Sequence, residues 1–521
     1  MRRLKHILLT TLTLVSMLPS PSYSVSDAPT VAIVISDLHF GLGRLGDDWN
    51  PLEDFRWTNA LRGFLAQLDH DYANGVDLVI AGDFLELWQH PAVPCLPKGE
   101  CGCTVKQMED VARTVTSAHS EDFAALAAWL NRRPTNHLTV IPGNHDAALM
   151  EPSVWKIVRD ALSAPDDQVS LSATGTWVSA DGTAVVEHGH QISFDVNSFP
   201  RWPAVTRSCD DQERMFRPWG ELFVQSLYTE KECEFPIIDN LSSESEGARL
   251  YSNSQGTWRN AADVARFIAF NLFETSSRQK VQLGKPPGSG AWDESKARSR
   301  GYRLFAAAMD PNDPLRTSLL TGDKGSSPDL DPLDLRAQLD AIAHSLPREG
   351  IMALCDEAEL RRPPGAASTA GCELELGKSL VNALLPLTVY LTPRLTELKH
   401  AYPSMALYVY GHTHRADYDI TVEIKDEALS VVNSGAFQRL IDFPVLHRKA
   451  SDAGISDVQA LKTLKLEADL APCYGVVEVK FIRKGPVAKL RQWFMAEDAA
   501  TGQFLEACDR RCTSVPERCS R

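Results

Sequence analysis

The sequence predicts an α/β fold, a layered sheet flanked by helices and interrupted by a large, mostly helical insertion. Three observations predict it. Apolar runs rich in β-branched residues alternate with amphipathic helical stretches through the first 195 residues, the pattern of successive β-α-β units. Several of these runs end abruptly in Asp, Asn or His, where open α/β sheets place their ligands. Roughly 220 residues then separate His190 from Gly411, far more than a connection within a sheet requires.

The chain opens with Arg2, Arg3 and Lys5, an apolar stretch over 7–18, and a small, turn-prone end over 19–24. A membrane-spanning helix wants ~20 apolar residues, so 1–24 reads as a signal peptide cleaved after Ser24, with an uncleaved anchor as the alternative. A first core segment follows over 29–195. Residues 31–36 form a continuous apolar run, as a strand buried on both faces would, and end at Asp37. Trp57, Leu61, Phe64, Leu65, Leu68 and Tyr72 fall at helical spacing, and the run 76–81 ends at Gly82-Asp83. Beyond a Pro/Gly-rich loop with Cys95, Cys101 and Cys103, a helix is marked by Phe123, Leu126, Ala127 and Leu130. A strand over 138–141 then ends at Gly143-Asn144-His145-Asp146. Val154, Ile157, Val158 and Leu162 predict another helix, and 177–178 and 184–187 short strands leading to His188-Gly189-His190.

The insertion spans 196–400. Val264, Phe267 and Ile268, the run 270–273, and Leu335, Leu339, Ile342 and Leu346 carry helical signals, divided by Pro/Gly/Asp punctuation. It reads as a cap subdomain beside the site. Residues 380–391 are apolar but too short to cross a bilayer, and read as a core or interface helix. A second core segment, 401–495, resumes with a strand over 406–410 that delivers Gly411-His412-Thr413-His414. Residues 420–422, 429–432, 476–481 and 490–494 then read as strands of a second sheet, with a turn at Asn433-Ser434-Gly435. A cysteine-containing tail, 496–521, closes the chain.

Losing 1–24 removes three positive and no acidic residues, which takes the formal charge from −15 to −18. Such a surface repels polyanions and argues against nucleic acid as a partner, while a small anionic substrate stays open if metal ions supply local positive charge. All 11 cysteines follow the export segment. A secreted or periplasmic location meets an oxidising compartment, so disulfides are expected, with at least one thiol left over because the count is odd.

Around Asp83 the sequence thus gathers five polar clusters, each after an apolar run: Asp37-Leu38-His39, Gly82-Asp83, Gly143-Asn144-His145-Asp146, His188-Gly189-His190 and Gly411-His412-Thr413-His414. Their mixed nitrogen and oxygen donors, without thiolate, suit manganese, iron, zinc or nickel rather than an all-oxygen magnesium or calcium site. Two divalent ions ~3.5–4 Å apart can clamp both the attacking and the leaving oxygen of a phosphoryl displacement.

In that order the five motifs resemble the calcineurin-like metallophosphoesterase family, over residues 30–195 and 405–495. The resemblance implies an α+β, four-layer β-sandwich flanked by helices. It assigns Asp37, His39 and His414 to a first metal, Asp83 as the bridge, and Asn144, His188 and His412 to a second. It further implies that a metal-bridging hydroxide attacks phosphorus while His145 protonates the leaving oxygen, with Glu86 orienting that histidine. The residues alone do not separate His188 from His190. The family's ligand precedes the glycine, which favours His188 and leaves His190 and Asp146 to surrounding contacts or substrate. The expected function is an exported phosphoesterase acting on a phosphomonoester or phosphodiester; the alternative is a catalytically silent protein of the same fold that holds a partner through its insertion. The stretch 82–88 is also similar to family members that cleave the pyrophosphate of acylated sugar nucleotides, but an exported location disfavours that cytosolic substrate. Pro142 stands where the family's protein phosphatases carry Arg.

Overall fold

The computed structural model describes residues 31–242 and 387–520, apart from 91–94, 96–98, 193–196, 210 and 497. The expected signal segment, the helical signals at 264–273 and 335–346, and Cys355 and Cys372 lie outside the described residues.

In chain order the first elements are β1 (Val31–Ile35), β2 (Arg44–Leu45), β3 (Asp48–Trp49), α1 (Thr58–Asp71), β4 (Asp77–Ala81), β5 (Cys101–Thr104), α2 (Val105–Ala118), α3 (Ser120–Arg132), β6 (His137–Ile141), α4 (Pro152–Leu162), β7 (Val169–Leu171), β8 (Thr176–Val178) and β9 (Ala184–Glu187). Then come β10 (Thr206–Cys209), β11 (Gln212–Phe216), α5 (Trp219–Phe223), α6 (Thr229–Glu232), α7 (Leu387–Ala401), β12 (Leu407–Tyr410), β13 (Asp417–Ile424) and β14 (Glu427–Asn433). The chain ends with α8 (Phe443–Ala453), α9 (Asp457–Thr463), α10 (Leu466–Asp469), β15 (Cys473–Ile482), β16 (Gly485–Phe494) and β17 (Gln503–Glu506).

The fold is mixed α/β. A seven-stranded sheet runs β17-β16-β15-β1-β4-β6-β7 and a five-stranded sheet runs β13-β14-β12-β9-β8. β1, β4 and β6 are parallel neighbours in the first, and β9, β12 and β14 in the second. The inner faces meet through Ala32, Val34, Val79, Ala81 and Ile141 on one side and Ala184, Val186, Leu407, Val409 and Val432 on the other. On the outer face of the first sheet, Ile33, Ile35, Leu78 and Ile80 pack with Phe64 of α1, Val111 of α2, Leu126 of α3 and Val158 of α4. Val185, Tyr408 and Val431 of the second sheet pack with Leu391, Leu395 and Leu398 of α7. Apolar burial on both sides is why β1 and β4 read as unbroken apolar runs instead of alternating ones.

Several elements depart from the sequence expectation. β15 and β16 join the first sheet, β15 running antiparallel to β1, so the strands expected for a second sheet divide between two. A buried strand face does not reveal which sheet it completes. The first sheet also takes in β17, beyond residue 495. Helix α2 follows the cysteine loop unannounced: its buried stripe is Met108, Val111, Ala112 and Val115, and Thr104 and Gln107 close a reciprocal capping box at its start. The opening of the insertion is a hairpin, β10–β11, that pairs with β5.

Disulfides join Cys95 to Cys103, Cys101 to Cys209, Cys473 to Cys512 and Cys508 to Cys519. Among the described residues Cys233 is unpaired and exposed. No described helix is long and apolar enough to cross a membrane.

Candidate metal centre

Parallel order decides where the polar clusters go. β1, β4 and β6 release Asp37, Asp83 and Asn144 at one edge of the first sheet, and β9 and β12 release His188 and His412 from the second. The turns that follow are tight: Asp37, His39, Asp83, His412 and His414 all have positive φ, between 47° and 72°. Non-glycine residues avoid this region at a cost of order 1–3 kcal/mol each, and it concentrates at functional sites. Close approach also explains two glycines. A Cβ on Gly143 would lie 2.2 Å from Asp83 Oδ1, and one on Gly411 would lie 2.6 Å from Asp37 Oδ2.

Three overlapping groups result, each with donor atoms within 4.8 Å of one another: Asp37–His39–His414, His39–Asp83–His145 and Asp83–His188–His412. In the last, His188 Nδ1 donates to the Ala81 carbonyl at 2.9 Å, which turns Nε2 toward the other donor atoms. Nε2 faces Asp83 Oδ2 and Asn144 Oδ1, each 3.0 Å away. On the other flank His39 Nδ1 donates to Glu86 Oε2 at 3.2 Å, and its Nε2 faces His414 Nε2 at 3.2 Å and Asp83 Oδ2 at 3.8 Å. Asp37 Oδ1 lies 3.5 Å from His414 Nε2. Buried nitrogen and oxygen atoms this close are held together by shared protons or by a cation between them. Imidazoles around a shared carboxylate are the donor set of a borderline divalent ion, and Ala81 and Glu86 fix two of those rings from behind. Among the described residues His414 Nδ1 has no hydrogen-bond partner.

The protonation pattern follows the same geometry. Burial, with His39 nearby, takes His414 down to about 4 and keeps it neutral. Burial opposes the charge on Asp83, yet His188 and His145 hold its carboxyl well below the usual range. His145 is partly open to solvent. Its Nδ1 donates to Glu86 Oε2 at 2.5 Å, its ring stacks on Trp88 at 3.9 Å, and its backbone N–H donates to Asp83 Oδ1 at 2.9 Å. Burial resists a charged ring there, but the Glu86 and Asp83 charges outweigh it and raise the pKa. Glu86 also accepts the backbone N–H groups of Trp88 and Gln89 at 2.7 and 3.1 Å, and its own pKa is lowered.

Asp146 faces backbone instead: Oδ2 accepts from Phe84 and Leu85 at 2.8 and 3.2 Å and Oδ1 from Gly143 at 2.6 Å, tying the two ligand loops together. Burial and the neighbouring Asp83 charge push it up to about 7. His190 stays outside the donor groups, its ring 5.4 Å from His188 and edge-on to Trp202 at 4.5 Å. Burial lowers its pKa, and its Nδ1 has no hydrogen-bond partner. The fourth donor group, His90–Cys95–Cys103, has its two sulfurs joined to each other.

Sequence reasoning passed over the braces. Glu187, just before His188, accepts from Arg394, Thr176 and Tyr408. Asn433 donates to the Gly411 carbonyl at 3.1 Å and to Thr413 at 3.0 Å, holding the last ligand loop. A buried carboxylate ahead of a ligand was the available signal for Glu187. No family model, curated protein or solved structure matches the chain.

Proposed function

We propose that this chain is an exported metallophosphoesterase of the calcineurin-like kind, hydrolysing a small phosphomonoester or phosphodiester at a dinuclear metal centre. One observation carries the reading: His39–Asp83–His145 and Asp83–His188–His412 share Asp83, His39 belongs also to Asp37–His39–His414, and the donor atoms of each group lie within 4.8 Å of one another. Asp37, His39 and His414 would hold one ion, Asn144, His188 and His412 the other, with Asp83 between. The two packed sheets with helices on their outer faces fit that family's four-layer sandwich. Disulfides at both ends of the described chain support an oxidising compartment.

Bound there, two divalent ions would polarise the phosphoryl group and make water nucleophilic at neutral pH. The chain supplies the rest. Glu86 keeps the proton on His145 Nδ1 and fixes the ring, so Nε2 is the atom presented to the leaving oxygen. Trp88 covers one ring face and restricts its rotation. Ala81 and Glu86 hold two ligand rings in the tautomer that leaves Nε2 free.

The test is hydrolysis of p-nitrophenyl phosphate and bis-p-nitrophenyl phosphate by purified protein with manganese added or chelated. Metal-dependent turnover that Asp83→Asn abolishes is expected; an inert, manganese-loaded protein on a broad ester panel would sink the proposal.

A further inference from the structure

We infer that the β15–β16 hairpin is a docking finger for an anionic lipid surface, at the end of the molecule opposite the metal centre. The last β1 partner of β15 is Lys480, facing Val31, and the first β17 partner of β16 is Arg491, facing Glu506. Residues 481–489 therefore extend past both flanking strands. Phe481 and Ala488 pack back toward the inter-sheet core, so strand alternation turns Ile482 and Val487 outward on the opposite face. Both are 51% exposed, two of the four large apolar side chains exposed among the described residues.

Charge selects the partner. The chain carries −15 overall, yet 479–496 contains no acidic residue and holds Lys480, Arg483, Lys484, Lys489 and Arg491. Lys480 and Lys489 pair with Glu478 and Glu506 at the finger's base. Arg483 and Lys484, at the turn beside Ile482, have no acidic partner among the described residues. Exposed aliphatics set between cations match the boundary of an anionic bilayer, where apolar groups enter and basic ones meet phosphate. β1 is five residues long, so the metal ligands lie on the order of 20 Å away at strand rise, facing away from such a surface.

The test is co-sedimentation of the full chain with vesicles of phosphatidylcholine alone or mixed with phosphatidylglycerol. The mixed vesicles should bind it better, and salt should weaken that binding. Each cation near an anionic surface is worth about five-fold in affinity, so Arg483→Glu with Lys484→Glu should weaken binding at least ~25-fold. Ile482→Ser with Val487→Ser should weaken it further, with an unchanged thermal midpoint showing both variants folded. Equal binding to the two compositions would overturn the inference, as would undiminished binding by the charge-reversed variant, the result expected of attachment through the N-terminal segment alone.

Discussion

Replacing Glu86 by Gln isolates the group that links His145, the proposed acid, to the candidate metal ligands. Glu86 Oε2 accepts from both His145 Nδ1 at 2.5 Å and His39 Nδ1 at 3.2 Å while Oε1 accepts the Trp88 and Gln89 N–H groups, so an amide, with one acceptor oxygen, must satisfy the backbone pair or the histidine pair but not both. Hydrogen bonds to charged groups are worth about 1.5–3 kcal/mol, so losing the one to His145 corresponds to a rate loss of roughly 10- to 150-fold. General acid catalysis as a whole, about 10²–10⁴-fold, sets the ceiling. The loss should depend on the leaving group. An alkyl phosphate, whose alkoxide must be protonated, should lose about 10²-fold in kcat, while p-nitrophenyl phosphate should lose less than ~10-fold. The Glu86 charge also raises the His145 pKa. Without it the alkaline limb of the pH–rate profile, where the acid loses its proton, should move to lower pH. The assay compares kcat across pH for both substrates at equal metal content. Equal losses on both, with an unmoved alkaline limb, would refute the assignment of His145 as the acid and Glu86 as its positioning residue.

His119, buried between Asp122 at 3.0 Å and Glu53 at 3.3 Å, should make stability pH-dependent. Burial opposes its charge, but these two carboxylates raise the folded pKa to about 9. The stabilisation, about 3 kcal/mol, is complete below the unfolded value near 6.5 and lost as pH rises through about 9. Urea titrations should show that window, and His119→Gln should remove it. Gly143→Ala drives a Cβ to 2.2 Å from Asp83 Oδ1; metal affinity measured by chelator competition should fall ~10–100-fold in a protein that still folds. Opening the Cys473–Cys512 bridge, 39 residues apart, with paired Ser substitutions should cost about 3–4 kcal/mol in denaturant unfolding without changing metal content.

The strands that carry ligands were legible because burial on both faces leaves an unbroken apolar run, and each run stops at the residue that leaves the sheet. β1 ending before Asp37 and β12 ending before Gly411 are of this kind. The seven ligand candidates lie near one another, and of His188 and His190, which follow the same strand, only His188 falls in a donor group among the described residues. Phe84 and Leu87 entered the apolar core, while Trp88 took a place against His145. What stayed hidden depends on partners far off in sequence. The α2 stripe is diluted by Thr, Arg and Glu on its exposed face. The sheet that β15 completes is set by Val31, more than four hundred residues away. Glu187 reads as a strand-end acid until Arg394 meets it.

Anomalous scattering from crystals grown with manganese tests the central claim most directly. Two peaks ~3.5–4 Å apart, one on each side of the Asp83 carboxylate and ringed by Asp37, His39 and His414 and by Asn144, His188 and His412, are the predicted result. A single peak elsewhere, or no ordered manganese among these side chains, would contradict it.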